Sequence, residues 1–410
     1  MTDKTILVIG TYDTKDDELH FLADVIRASG GRIVSMDVSV LGDPSVPATF
    51  SKHDVAAEGG SSIQAAIDSG DENHAMQIMA KGARLLAARL YSERVFDGMI
   101  VLGGTMGTDL ALDVCTALPL GVPKYIVSTV AFSPLIPADR LAADTQMILW
   151  AGGLYGLNSV CKASLSQAAG AVLGAARAVQ MPDPDKPLIG MMSLGTSALK
   201  YVIPLKPALE DRGYEVAVFH ATGMGGRAFE SLAAQGAFAC VFDFCTQEVG
   251  NHLHGSNISA GADRLTNAGA YGTPQIVSPG CYDLVDIVGW QPHPEKWSAH
   301  MKHAHNRLLT SIVLKTEERK QVARAHSERL ATAQGPVAMI LPERGLGEWD
   351  REGADLHDSD GLKAFLAELD ATMPGNVTSH RIDCHINDAE FAETALNIFD
   401  DWRTQGIVAG

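Results

Sequence analysis

One motif occurs twice in this chain and limits the folds open to it: a short apolar run that ends in a glycine loop and passes into a helix-patterned stretch. In the first copy KTILVIG (4–10) leads into Gly10-Thr11-Tyr12-Asp13-Thr14-Lys15. Leu19, Leu22, Val25 and Ile26 then recur at helical spacing until Gly30-Gly31 stops the pattern. RIVSMDV (32–38) is the next strand. The second copy runs PLIGMMSLGT (187–196), then a helix-like segment disturbed by Pro204 and Pro207, then EVAVFHA (215–221). Strand, helix, strand in this order implies parallel pairing through right-handed crossovers.

The remaining pattern extends both copies. FDGMIVLGG (96–104) and PKYIVST (123–129) read as buried strands, and 73–91 and 158–179 as helices. Beyond the proline-rich MPDPDKP (181–187), strands are expected at FACVFDF (238–244), TPQIVSP (273–279), PVAMILP (336–342) and HRIDCHI (380–386). A long polar-faced helix is expected over about 298–333 and a closing one from Asp388 to Trp402. The expected fold is α/β: two Rossmann-like, doubly wound domains with mainly parallel sheets, 1–182 binding a nucleotide and 187–410 forming the C-terminal domain.

Composition narrows the partners. A formal charge of −17 argues against nucleic acid or an anionic membrane surface. No apolar run reaches the roughly 18–20 residues of a membrane span, and the N-terminus enters a strand without a signal-peptide pattern. The six cysteines form no CxxC pair, which suits buried thiols in a reducing cytoplasm.

Ligands of open α/β sheets bind beyond the carboxyl ends of the strands. In the first loop, Thr14 and Asp17 fit a capping pattern, and Asp16, Asp17 and Glu18 repel a bare phosphate; if a nucleotide sits there, Asp13 is expected to act through Mg²⁺ and Lys15 to offset charge. In the second, Gly103, Gly104 and Gly107 let backbone approach a ligand and Thr105 and Thr108 offer hydroxyls, ahead of a helix at 109–118. No Lys follows the last glycine, so this is not a Walker loop. In the third, Gly223, Gly225 and Gly226 precede Arg227, which makes this the best electrostatic anion cradle in the chain. Ser128-Thr129, Ser193 to Thr196 and Ser278-Pro279-Gly280 are softer candidates. His300 and His303 would share a helical face, but no HExxH pattern accompanies them. Asp243, at a strand end, reads equally as a base, a metal ligand or a core-edge carboxylate.

Together GTYDTKDDELHFL (10–22), GGTMGT (103–108), FHATGMGGRAFE (219–230) and GADRLTNAGAYGTPQIVSPG (261–280) resemble the signature segments of one family. It comprises bacterial uncharacterised proteins and the N-terminal ATP-binding, inhibitory domain of the tomato mosaic virus resistance protein. The resemblance extends from residue 4 to about 350. It implies ATP and Mg²⁺ near the N-terminal loops, held by Thr11, Asp13, Thr14 and the 103–108 loop, and a tendency to form homodimers. A barrel domain follows in plant and fungal relatives, so a separately encoded barrel protein is a conceivable partner. Asp243 to Glu248 and the two histidines His252 and His254 depart from the family pattern.

The resulting expectation is a cytoplasmic ATP/Mg²⁺-binding protein acting on a small anionic metabolite, with phosphoryl or acyl transfer assisted by Lys15 or Arg227. Two alternatives stay open: a nucleotide-responsive binding module without turnover, and a sugar-acid or sugar-phosphate enzyme that does not use ATP.

Overall fold

The computed structural model describes residues 3–182, 185–195 and 197–408. Asp183-Pro184 of the proline-rich boundary and Thr196 of the second glycine loop lie outside the described residues. The chain divides into two compact units, Met1–Pro182 and Asp183–Gly410.

The first unit is built on five parallel strands: β1 (Thr5–Gly10), β2 (Arg32–Asp37), β3 (Gly98–Gly103), β4 (Lys124–Ser128) and β5 (Thr145–Leu149), in the order β2-β1-β3-β4-β5. The helices are α1 (Asp16–Ala28), α2 (Lys52–Glu58), α3 (Ile63–Asp68), α4 (Glu72–Ser92), α5 (Thr105–Ala117) and α6 (Ser159–Ala178). Strand residues alternate between two cores because successive side chains leave opposite faces of a strand. Leu7, Ile9, Met99 and Val101 pack with Val55, Met79, Leu86 and Leu110 on one face. Ile6, Val8, Ile100 and Leu102 pack with Leu19, Leu22, Ile26, Leu165 and Val172 on the other. Both faces being covered, every residue of β1 and β3 is buried, which is why these strands read as unbroken apolar runs.

The second unit repeats that winding. Its parallel strands are β6 (Leu188–Ser193), β7 (Glu215–His220), β8 (Cys240–Asp243), β9 (Gln275–Val277) and, after an insertion, β13 (Val337–Pro342) and β14 (Val377–Ile382), ordered β14-β13-β9-β8-β6-β7. Helices α7 (Val202–Glu210), α8 (Met224–Ala234), α9 (Gln247–Leu253), α10 (Asn267–Tyr271), α11 (Thr316–Leu330), α12 (Ser359–Thr372) and α13 (Ala389–Thr404) connect them. Pro204 falls in the first turn of α7, where its missing N–H costs nothing, and Pro207 lies inside the helix.

The long helix expected over 298–333 is not there. Its first half forms β11 (Lys302–Ala304) and β12 (Leu309–Val313), which pair with β10 (Leu284–Val288) in an antiparallel sheet. Thr310, Ile312 and Val313 are β-branched and suit a strand; helical residues begin only at Thr316. His303 therefore lies on a strand and His300 precedes it, so the two do not share a helix face. The helix expected at 109–118 begins earlier, at Thr105, so Thr105, Gly107 and Thr108 lie in the helix rather than in the loop before it.

Candidate functional site

In the first unit the strand order reverses between β1 and β3, and the loops leaving their carboxyl ends diverge there. Such a crevice is the expected ligand position in a doubly wound sheet. A cavity of about 510 Å³ occupies it. Thr11, Asp13, Thr14 and Lys15 line one side, and Gly103, Gly104, Thr105, Met106 and Gly107 another. Two segments nearly a hundred residues apart thus share one space.

The first loop folds differently from a capped helix start. The Thr14 hydroxyl is 3.0 Å from that of Thr11 instead of capping α1, whose N-cap is Lys15 and has no side-chain acceptor. Lys15 Nζ donates to Thr11 Oγ1 and Thr14 Oγ1, each at 3.2 Å. It forms no ion pair among the described residues, so its charge is not neutralised. Asp13 receives Gly42 N–H on Oδ2 at 3.4 Å, while its Oδ1 is buried without a hydrogen-bond partner. An unanswered carboxylate oxygen is costly unless something else satisfies it.

The second loop opens α5 with Gly104 as N-cap, which has no side chain to satisfy the first amides. Thr108 N–H already bonds to Gly104 O, leaving the amides of Thr105, Met106 and Gly107 at the cavity. No acid occupies this first turn, so the positive end of a 13-residue helix is unopposed by its own side chains. A Cβ on Gly103 would lie 2.6 Å from Gly107 Cα, so glycine is what lets strand and helix meet this closely. Thr108 is buried, hydrogen-bonded to Ser128 Oγ at 2.7 Å, and anchors the loop to β4 without lining the cavity.

Most of the remaining cavity wall is apolar and was not legible beforehand. Val38, Val40 and Leu41 follow β2, Ala66 and Ile67 come from α3, and Ala75 and Met76 from α4. Leu41, Ile67 and Met106 are 76%, 41% and 41% exposed. Large apolar side chains left open around one cavity mark a binding surface. Asp71 and Glu72 add negative charge at the start of α4, where Asp71 caps His74 N–H.

The third loop holds its own anion. Gly223 and Gly226 donate their amides to Glu248 Oε1 at 2.6 and 3.2 Å, and Glu248 is fully buried. Gly223 has φ +83°, which only glycine adopts without strain, and a Cβ on Gly226 would fall 1.9 Å from Glu248 Oε2. Arg227 is bound through two nitrogens to Asp263 at 2.6 and 3.0 Å and to Ala260 O. The cradle foreseen for a ligand is therefore filled from within, and the positive charge of Arg227 is answered by Asp263. Gly225 packs against His220, where a Cβ would sit 1.9 Å from the carbonyl oxygen.

Behind that cradle lies Arg264, fully buried. Its guanidinium meets Asp243 at 2.5 and 2.7 Å, Glu248 at 2.8 Å, Glu230 at 3.2 Å and Cys245 O at 3.1 Å. Asp243 is thus spent as an internal ion-pair partner. Burial pushes Glu230 up to about 7 against the pull of Arg264, and Glu248 is raised in the same way. Nearby, Cys281 has φ +57° and lines a cavity of about 10 Å³, room for one water, with Ser197, Asp283 and Asp350. Burial, and then the charge of Asp350, push Asp283 up to about 7, while Arg319 opposes them.

Ser193 is buried with its hydroxyl near Phe219 O and His220 Nδ1, and Ser278 Oγ is buried without a partner. His300 Nε2 contacts Glu318 at 3.0 Å. No group of three or more His, Cys, Asp or Glu side chains among the described residues could hold a metal ion. All six cysteines are buried free thiols. No helix among the described residues is long and apolar enough to cross a membrane.

Fold and site define a two-unit, doubly wound α/β protein with a half-apolar cavity at the first unit's switch point. The chain belongs to the uncharacterised protein family UPF0261: that family's N-terminal domain matches residues 4–181 and its C-terminal domain 186–403. A UPF0261 protein of Brucella melitensis is 55% identical over 403 residues, covering 98% of this chain and 96% of that one. One from Clostridium tetani is 35% identical, covering 95% and 96%. The ToMV resistance protein Tm-1(GCR237) of Solanum lycopersicum is 28% identical over 96% of this chain and 55% of its own length. A Streptomyces glycosyltransferase complexed with thymidine diphosphate covers 67% of this chain and 82% of its own at 15% identity; its TM-score of 0.17 carries no argument.

Proposed function

We propose that the first unit binds a nucleoside triphosphate with Mg²⁺ in the cavity between the 11–15 and 103–107 loops. One observation carries this reading: an unpaired lysine, the uncapped start of α5 and a carboxylate with a free oxygen meet at one apolar-walled cavity. Free amides and a lysine favour phosphate oxygens, and the wall of Val38, Val40, Ile67 and Met76 suits the flat face of a base. The volume, about 510 Å³, lies within the usual range for small-molecule sites. The resemblance to an ATP-binding domain points to the same ligand.

The residues fit a magnesium ion in a limited way. Asp13 would supply one carboxylate, and no group of three or more His, Cys, Asp or Glu side chains forms a protein cage among the described residues. Mg²⁺ is commonly held by one or two carboxylates with phosphates and water supplying the rest. Bound there, it would neutralise phosphate charge that Asp13, Asp71 and Glu72 otherwise repel. Lys15 then orients a phosphate from Thr11 and Thr14, and a small anionic metabolite is the proposed second substrate.

Titrating ATP with Mg²⁺ is expected to raise the thermal midpoint of the full chain, by about 2.7 kcal/mol of stabilisation at 100 times the dissociation constant. Asp13→Ala should abolish the magnesium dependence, and Lys15→Ala should weaken binding by roughly ten-fold or more. A midpoint unmoved by any nucleotide, but raised by a sugar phosphate, would replace this reading with the sugar-phosphate one.

A further inference from the structure

In dinucleotide-binding folds an acid at the end of the second strand, some 20 residues beyond the first glycine loop, takes the ribose 2′-hydroxyl. This chain has an acid at that place, Asp37, the last residue of β2. It faces inward. Asp37 is 1% exposed, and its Oδ1 accepts Tyr12 N–H at 3.3 Å, Ser39 N–H at 2.9 Å and the Ser39 hydroxyl. Ser39, the other polar residue of the turn, is equally buried, and its Oγ also accepts Asp13 N–H at 3.0 Å. Through Oδ1 the carboxylate that would read the sugar braces the phosphate loop, and Asp37 is not among the residues that line the cavity. The residues of this turn that do reach the cavity, Val38, Val40 and Leu41, offer no hydrogen bond from their side chains.

The other acids at the cavity lie outside the turn that follows β2. Asp71 Oδ1 is committed to capping α4 through His74 N–H at 2.9 Å. Glu72 is exposed, and no hydrogen bond among the described residues fixes its side chain. Asp13 is the carboxylate that the nucleotide reading gives to the metal. We infer that the site does not read the sugar 2′-hydroxyl, so that its ligand class is ribo- and deoxyribonucleoside triphosphates alike. The inference rests on the nucleotide reading of the cavity and adds to it a specificity: phosphates and an apolar face are recognised, the 2′-hydroxyl is not.

Calorimetric titration of the full chain with ATP and with 2′-deoxy-ATP, both with Mg²⁺, tests this. The two ligands carry the same charge and the same base, so their ratio isolates one hydroxyl. Dissociation constants within about three-fold are expected, and the ratio should stay the same in Glu72→Gln. A hydroxyl bonded to a fixed carboxylate would instead favour ATP by roughly ten- to hundred-fold. A preference of that size overturns the inference while leaving the nucleotide reading intact. Binding of neither ligand removes the nucleotide reading and this inference with it.

Discussion

Replacing Arg264 by Met is expected to cost the second unit about 3–5 kcal/mol, the range for breaking a buried ion pair from one side. Three carboxylates, those of Asp243, Glu230 and Glu248, converge on this guanidinium, and all are at most 1% exposed. Methionine fills much of the volume but leaves those acids without a counter-charge. Arg264→Lys should recover little, because one ammonium cannot reproduce a planar fork that meets Asp243 through two nitrogens and Glu248 through a third. Arg344→Ala is the matching control. Its two-nitrogen pair with Asp383 is equally short, at 2.7 Å, but the two side chains are 64% and 72% exposed. It should leave stability close to that of wild type, because exposed pairs of this kind are screened by solvent. Urea unfolding followed through the second unit's transition would measure both. A loss under about 1 kcal/mol for Arg264→Met would show that the acids are not stranded as the geometry requires.

The second large effect depends on pH. Burial pushes the Asp283 carboxyl up to about 7 in the folded chain from its ordinary value of 3.8. Between those values the folded state keeps a proton that the unfolded state has released. Its contribution therefore falls as pH rises from about 4 to 7, by at most roughly 4 kcal/mol. Glu230, pushed up to about 7 by burial, acts in the same direction. Buried His326, held down to about 4, pulls the other way, since only the unfolded chain takes up its proton below about 6.5. Wild-type stability alone mixes these signs, so the difference between Asp283→Asn and wild type is the quantity to follow. The variant should gain on wild type steadily from pH 5 to about pH 7 and little beyond it. A difference that does not change with pH would mean that Asp283 is ionised throughout.

Much of the architecture was legible because its cause is local. β1 and β3 are buried at every position since both faces of the sheet are covered, and each ends in glycine where the chain must turn into a helix. That placed Thr11 to Lys15 and Gly103 to Gly107 at strand ends, and the reversal of strand order joined them at one cavity. Sequence spacing could not supply the opposite wall. Ile67 and Met76 belong to α3 and α4, whose amphipathic pattern shows that one face is buried but not which loop the helix ends approach. The Gly223 loop misled for a related reason. A glycine-rich turn with a following arginine has the same local pattern whether its amides meet a substrate or a carboxylate of the chain. Glu248 lies 25 residues beyond Gly223, and only tertiary packing puts it in the cradle. The β10–β12–β11 sheet was missed where charged and histidine-rich residues obscured a short β-branched run.

The fit of Gly226 against Glu248 also bears on how this chain can change over time. A side chain at 226 is acceptable only if 248 is first shortened, and shortening 248 takes one partner from Arg264 and an acceptor from two amides. Each single step passes through a weakened protein, so the substitutions that could remodel this corner are strongly non-additive. Drift at these positions has to be concerted, and the loop can acquire a new ligand only along a narrow order of replacements.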